Sequence, residues 1–294
     1  MIDLDNVVKT FGSIRALDGL TLHVDEGGIH GFLGPNGAGK TTTLRILLGL
    51  LKPNSGTVTL MGTNPWRNPA ELHRRLAYVP GEVSLWPGLS GGETIDALGR
   101  MRWGYSTQKR DELITKFDFN PRTKVASYSK GNRQKVALIA ALACDVDVYL
   151  FDEPTDGLDP LMAEAFRDCV RDLHAAGRTV LLSSHVLAEV DAVCDHVTII
   201  RAGRAVEAGS IADMKQVALH TVVATVEGTI SLADIPGVHS SSIEGTTVTA
   251  SVETSAVPHV VSALVAAGTT SLDVHPPSLE ELFLGYYDKK PATP

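Results

Sequence analysis

Residues 34–42 read Gly34-Pro35-Asn36-Gly37-Ala38-Gly39-Lys40-Thr41-Thr42, a spacing suited to holding a chain of phosphates. The apolar run Ile29–Leu33 precedes this segment and the stretch TTTLRILLGLL follows it, so the order strand, loop, helix is expected. Glycines let consecutive backbone N–H groups turn inward around phosphate oxygens, and the helix N-terminus adds partial positive charge. In that frame Lys40 neutralises the terminal phosphates and the Thr41 hydroxyl reaches a metal ion. A second apolar run, Val146–Phe151, ends in Asp152 and Glu153. Such a pair supplies what phosphoryl transfer to water requires: one carboxylate at the metal, and another beside the terminal phosphate to polarise the attacking water.

These residues need a scaffold, and short apolar runs recur at 29–33, 146–151, 179–183 and 197–200 with helical patterns between them. That alternation predicts an α/β fold with a mostly parallel sheet, whose ligands gather at the carboxyl ends of the strands. Over 66–135 the pattern is mainly helical and carries 13 basic against 7 acidic residues, read as an inserted helical arm spanning about 83–145. Its +6 charge with Trp86, Trp103 and Tyr105 suits either a docking face beside lipid headgroups or a solvated charged face over core aromatics.

Length and charge set the outer limits. The 294 residues suggest about two domains. Residues 1–215 hold 24 basic and 26 acidic residues, whereas 216–294 hold 2 and 8 and no arginine, which places a boundary near 215. The tail alternates as TVVATVEG and TTVTASVE, with Glu244-Gly245 fit for a hairpin turn. Helices are expected over Ala256–Ala267 and SLEELFLGYY, with a frayed PATP end, giving a small α+β module. A formal net charge of −8 argues against general nucleic-acid binding. The longest apolar run, Val136–Cys144, is far short of the ~18 residues of a membrane span. The start, MIDLDNVVKT, lacks the basic and apolar segments of a secretory signal, and three widely spaced cysteines suit a reduced compartment.

Tyr128-Ser129-Lys130-Gly131-Asn132-Arg133-Gln134 lies shortly before the carboxylate strand and leads into VALIAALA. It resembles the signature motif of ATP-binding cassette (ABC) ATPases, usually LSGGQ followed by RQ. Ser129 and Gly131 match; Tyr128, Lys130 and Asn132 replace Leu, Gly and Gln. Leu89-Ser90-Gly91-Gly92-Glu93 matches the text better but lacks the RQ continuation and sits where the arm is expected, so a turn and helix cap is its expected role. Thr155-Asp156-Gly157-Leu158-Asp159-Pro160 resembles the family's D-loop, with Asp159 matching. Ser184-His185 resembles its switch histidine, and Phe11 stands where an aromatic stacks on adenine.

The resemblance covers about residues 1–215. It implies a P-loop NTPase cassette with a parallel core, an antiparallel β subdomain and the arm, followed by an accessory module over 216–294 that either braces a dimer or serves as a regulatory or partner-binding module. ATP would bind Phe11 and 34–42. Mg²⁺ would meet Thr41 and Asp152, and Glu153 and His185 would assist the attacking water. Ser129, Lys130, Gly131 and Asn132 would face the nucleotide of a second, head-to-tail copy. The family's glutamine after Tyr78-Val79-Pro80 is absent, with Gly81 and Glu82 in its place; either Glu82 reaches the metal as an acidic substitute, the reading preferred, or the contact is absent and the loop more flexible. Together with the PPSLEELFLGYY tail, the arrangement resembles bacterial drug-exporter ATPases of the daunorubicin-resistance type. A separately encoded permease at the cytoplasmic face of the cell membrane would be the partner. Importer and soluble cassette ATPases are the alternatives.

Overall fold

The computed structural model describes residues 1–276 apart from 218, 229 and 233. The expected SLEELFLGYY helix and the PATP end lie outside the described residues. By contacts the chain divides into two compact units, Met1–Gly209 and a second beginning at Ser210.

In the first unit, β1 (Ile2–Phe11) and β2 (Ile14–Val24) form an antiparallel hairpin. β3 (Ile29–Leu33) feeds α1 (Lys40–Leu47), and β4 (Ser55–Leu60) returns antiparallel to β1. α2 (Pro69–Arg74) and β5 (Leu76–Val79) precede three arm helices: α3 (Gly91–Gly99), α4 (Thr107–Lys116) and α5 (Lys130–Leu142). β6 (Val148–Asp152), α6 (Pro160–Ala175), β7 (Thr179–Ser184), α7 (Leu187–Val193), β8 (His196–Arg201) and β9 (Arg204–Ser210) complete it.

Two sheets result. The larger has the order β5-β6-β7-β3-β8-β9, with β5, β6, β7, β3 and β8 parallel. β3, β6 and β7 are buried at every position, as strands covered on both faces must be, and this explains their unbroken apolar runs. The second sheet, β2-β1-β4, buries one face only. In β1 the register slips between Leu4 and Val7, where Asn6 takes a left-handed φ of 49°. That bulge returns Val7 to the buried side beside Ile2 and Leu4. The inner face of this sheet, α1 and the parallel strands share one core that includes Leu17, Phe32, Leu44, Leu60 and Leu150. Fully burying each such side chain contributes about 1.5–3 kcal/mol. The α/β expectation, with a parallel core and an antiparallel sheet, is met.

Cys144, Cys169 and Cys194 are buried free thiols, and burial pushes all three above the usual thiol range.

The second unit opens with α8 (Ile211–Val217), then β10 (His220–Val226), β11 (Val238–Glu244), β12 (Thr247–Val252), α9 (Val257–Ala266) and β13 (Thr269–His275). Its antiparallel sheet runs β11-β12-β10-β13. The β11–β12 turn falls at Gly245, whose φ of 63° suits glycine, and Pro258 sits in the first turn of α9, where its missing N–H costs nothing. Val222, Ala224, Val248, Ala250, Val260 and Leu264 form a separate small core.

Candidate nucleotide site

α1 begins at Lys40 directly from the loop. Its cap residue, Gly39, has a left-handed φ of 115°, no side chain caps the helix, and no acid lies in its first turn. The amides of Lys40, Thr41 and Thr42 therefore have no intrahelical acceptor and point out of the helix end. The glycines are sterically required. A Cβ at Gly39 would lie 2.7 Å from Leu17 Cδ2 and 2.8 Å from the Ala16 carbonyl; one at Gly34 would press on Ile200, whose Cγ2 is 2.8 Å away. Pro35, Asn36, Gly37, Gly39, Lys40, Thr41 and Thr42 line one pocket with Ala16 and Glu153, while Ala38 is buried behind it and donates its N–H to Pro35 O at 3.2 Å.

The carboxylates arrive from β6. Asp152, 2% exposed, accepts from the Thr41 hydroxyl at 2.8 Å through Oδ2 and from the Ser183 hydroxyl at 2.6 Å through Oδ1. Parallel pairing of β6 with β7 sets Asp152 beside Ser183, which explains the second contact. Glu153 follows with a φ of 49°, a strained value for a residue with a side chain. Its Oε1 lies 3.1 Å from Lys40 Nζ and its Oε2 2.7 Å from His185 Nδ1. Lys40, 6% exposed, also donates to Gly34 O at 2.5 Å, so its buried charge is both paired and hydrogen-bonded. Burial and the Asp152 charge push the Tyr78 phenol up to about 12, keeping it protonated.

Among the described residues no group of three or more His, Cys, Asp or Glu forms a metal cage. Mg²⁺ carried with a nucleotide needs none, because it takes one or two protein oxygens and completes its shell with phosphates and water. The Thr41 hydroxyl and Asp152 carboxylate, in contact at the mouth of an uncapped helix, are a donor set of that kind.

A wider cleft of 1020 Å³ continues from Thr41, Asp152 and Glu153 to Gly81, Glu82, Lys130, Arg133, Gln134 and Asp156. A Cβ on Gly81 would lie 3.2 Å from Asp152 O, so the loop runs close against the carboxylate strand; Glu82, exposed, lines the cleft. On the far side, the Ser129 hydroxyl caps α5 by accepting from Asn132 N at 3.3 Å. Lys130 is ion-paired with Asp156, and Gly131 packs on the Gly157 carbonyl, leaving no room for a Cβ. Lys130, one of the departures from the family's signature, thus meets Asp156 of the segment that resembles its D-loop. Tyr128 is accommodated because its hydroxyl donates to Thr123 O at 2.9 Å and its ring packs edge-on to Phe119. Asp159 caps α6 through Met162 N at 3.0 Å.

Sequence reading and structure agree in drawing together the 34–42 loop, Asp152, Glu153 and His185. Phe11 stands apart: 45% exposed at the β1–β2 turn, it lies under the Lys9 ammonium at 5.1 Å and does not line the loop pocket. Ser90 heads α3 in a full capping box, its N–H donating to Glu93 at 2.7 Å, as a cap should. Sequence reading missed Ser183 and Ala16, and read Gln134 only as part of the RQ continuation. Ser183-Ser184, polar residues ending the apolar run TVLL, were the one available signal.

A profile of the ABC transporter family matches residues 17–156. The chain is 36% identical over 219 residues to the daunorubicin/doxorubicin resistance ATP-binding protein DrrA of Streptomyces peucetius, covering 73% of this chain and 66% of that protein. It is 34% identical to the bacitracin transport ATP-binding protein BcrA of Bacillus licheniformis, covering 70% of this chain and 69% of that one. A solved dimeric ATP-binding cassette in a post-hydrolysis state with ADP and Pi superposes with a TM-score of 0.64 at 26% identity, covering 72% of this chain and 99% of that one. The uncapped phosphate loop, the strand-end carboxylates and these likenesses agree: the chain belongs to the ABC transporter family, as an ATP-binding cassette with the site of an ATPase.

Proposed function

We propose that this chain binds ATP with Mg²⁺ and uses its hydrolysis to power a separately encoded membrane permease that expels drugs, antibiotics or polyketide-like compounds. The observation that carries the catalytic part is one connected cluster: Thr41 on Asp152, and Lys40 and His185 on either side of Glu153. The amides of the 34–42 loop and Lys40 hold the β and γ phosphates. Thr41 and Asp152 would hold the Mg²⁺, which when bound would neutralise negative charge on the phosphates. Glu153 takes a proton from the attacking water, and His185, hydrogen-bonded to it, holds that carboxylate in place and faces the γ phosphate. Phe11 stacks on adenine, and Glu82 supplies a further oxygen toward the metal across the wider cleft.

Two copies close head to tail, so that Ser129, Lys130, Gly131 and Asn132 of one, with the Asp159 loop, meet the nucleotide of the other. The dimeric solved cassette supports the pairing of two copies. Residues 1–215 form the cassette in this reading, 83–145 the arm that meets the permease, and 216–294 a brace for the dimer. The resistance and transport names of the relatives support export, and in this reading the work is done at the cytoplasmic face of the membrane.

Glu153→Gln is the decisive variant. It should keep ATP binding, lose on the order of 10²- to 10³-fold in phosphate release, and accumulate a closed dimer in size-exclusion chromatography with ATP. Wild-type turnover would remove Glu153 from its role. Inverted vesicles carrying this chain and its permease should take up a polyketide drug with ATP; uptake of no such compound overturns the export reading.

A further inference from the structure

Glu189, in the first turn of α7, sits in neither cleft, yet its two carboxylate oxygens bind different parts of the catalytic frame. Oε2 accepts from the hydroxyl of Ser184 at 2.8 Å. Ser184 is the last residue of β7 and the neighbour of His185, and its oxygen in turn accepts the N–H of Val186 at 2.9 Å. The turn that carries His185 is thus gripped from both sides. Oε1 accepts from the hydroxyl of Thr155, in the loop between Glu153 and α6.

That loop is fastened along its other edge to the start of α5. Gln134 Nε2, on a side chain 1% exposed, donates to Pro154 O at 3.0 Å. Lys130 pairs with Asp156, and Gly131 packs on the Gly157 carbonyl. A displacement of the α5 start therefore has a continuous path: α5 to the 154–157 loop, through Thr155 to Glu189, through Ser184 to the turn of His185, and from His185 to Glu153 at 2.7 Å. Each link is a hydrogen bond, ion pair or backbone contact, and the two at Glu189 are charge-assisted and half-buried.

We propose that Glu189 is a positioning residue for ATP hydrolysis, locking the His185 turn to the 154–157 loop so that the seating of the α5 start is transmitted to His185 and Glu153. This rests on the reading above in which Glu153 and His185 assist the attacking water. His185 is 49% exposed, and without the Glu189 carboxylate its turn loses the link to the 154–157 loop, keeping the Ser184–Val186 contact, the Gly34 N–H bond to Ser184 O at 3.3 Å and the His185–Glu153 bond.

The test is steady-state ATP hydrolysis by the full chain. Glu189→Ala should lower kcat on the order of 10- to 100-fold, the scale of a misplaced catalytic group, and leave the KM for ATP within about twofold, because Glu189 does not line the 34–42 pocket. Glu189→Gln should recover part of the loss, since its amide oxygen can still accept from one of the two hydroxyls. Thr155→Val alone should lower kcat, and added to Glu189→Ala should cost nothing further, both removing the same link. Wild-type kcat in Glu189→Ala, or a rise in KM that matches the fall in kcat, overturns the proposal. If Glu189→Ala does not fold, Thr155→Val and Ser184→Ala carry the same expectations. His185→Ala separates the two levels. If it loses turnover while Glu189→Ala does not, only the positioning role falls; if it turns over normally, the underlying reading of His185 fails.

Discussion

α3 and α5 both start with a serine followed within two residues by glycine, and both serines cap their helices. Their first turns are filled in opposite ways. At α3 the Glu93 carboxylate closes the capping box, receiving the Ser90 N–H at 2.7 Å, so an anion from the chain itself sits at the positive helix end. At α5 the first turn carries Lys130 and no acid, and it opens on the cleft that contains Asp152 and Glu153. The glycines differ as well. Gly91 is pressed against Phe119 and the Tyr128 ring system, whereas Gly131 is pressed against the backbone of the loop that follows Glu153. The segment that better matches a signature in letters has spent its electrostatics and its close contact on local folding. The poorer match keeps both directed at the site.

The same substitution at the two glycines should break the symmetry most visibly. Gly131→Ala, with its Cβ forced into the Gly157 carbonyl, should displace the loop that follows Glu153 and lower phosphate release on the order of 10²-fold. Gly91→Ala should instead cost about 1–3 kcal/mol by overpacking against Phe119, read in urea unfolding, with turnover unchanged below the transition. Equal effects on turnover would mean the two helix starts are not functionally distinct.

Removing the cap oxygen is a smaller perturbation: Ser90→Ala should cost about 1 kcal/mol and leave ATP hydrolysis intact. The last contrast is in pH. Hydrogen bonds from the backbone and hydroxyl of Ser90, with Lys124 nearby, hold Glu93 below the ordinary glutamate value of 4.5. A carboxylate depressed in the folded state favours folding above its unfolded pKa and loses that advantage as the pH falls through the folded value. The stability difference between wild type and Glu93→Gln should therefore be present at neutral pH and shrink in acid below 4.5. A pH-independent difference would show that the charge of Glu93 is idle.

What could be read in the sequence was what short spacing encodes. The strand, glycine loop and Lys40 helix, the paired acids after a buried run, and the Glu244-Gly245 turn each lie within about a dozen residues and follow local rules. The strand before Asp152 starts at Val148 where the apolar run begins at Val146, because Asp147 N–H turns to Arg75 O at 3.1 Å before the ladder begins. The Asn6 bulge was hidden, since a slip in register leaves no mark on composition. The Lys130–Asp156 pair and the Thr155–Glu189 contact join residues 26 and 34 positions apart across different elements, and only packing brings them together. Asp159 shows a residue with two legible signals. Asp-Pro is a helix-start pattern, and the structure uses it as one.

The three thiols are buried, none more than 9% exposed, and burial raises each above the usual thiol range, so little reactive thiolate is presented to thiol-directed dyes. No cysteine-free parent is needed. One new cysteine at an exposed site such as Leu161, 78% exposed beside Asp159, would be the sole point of attachment, so a fluorophore or spin label placed there would report distances between copies without background.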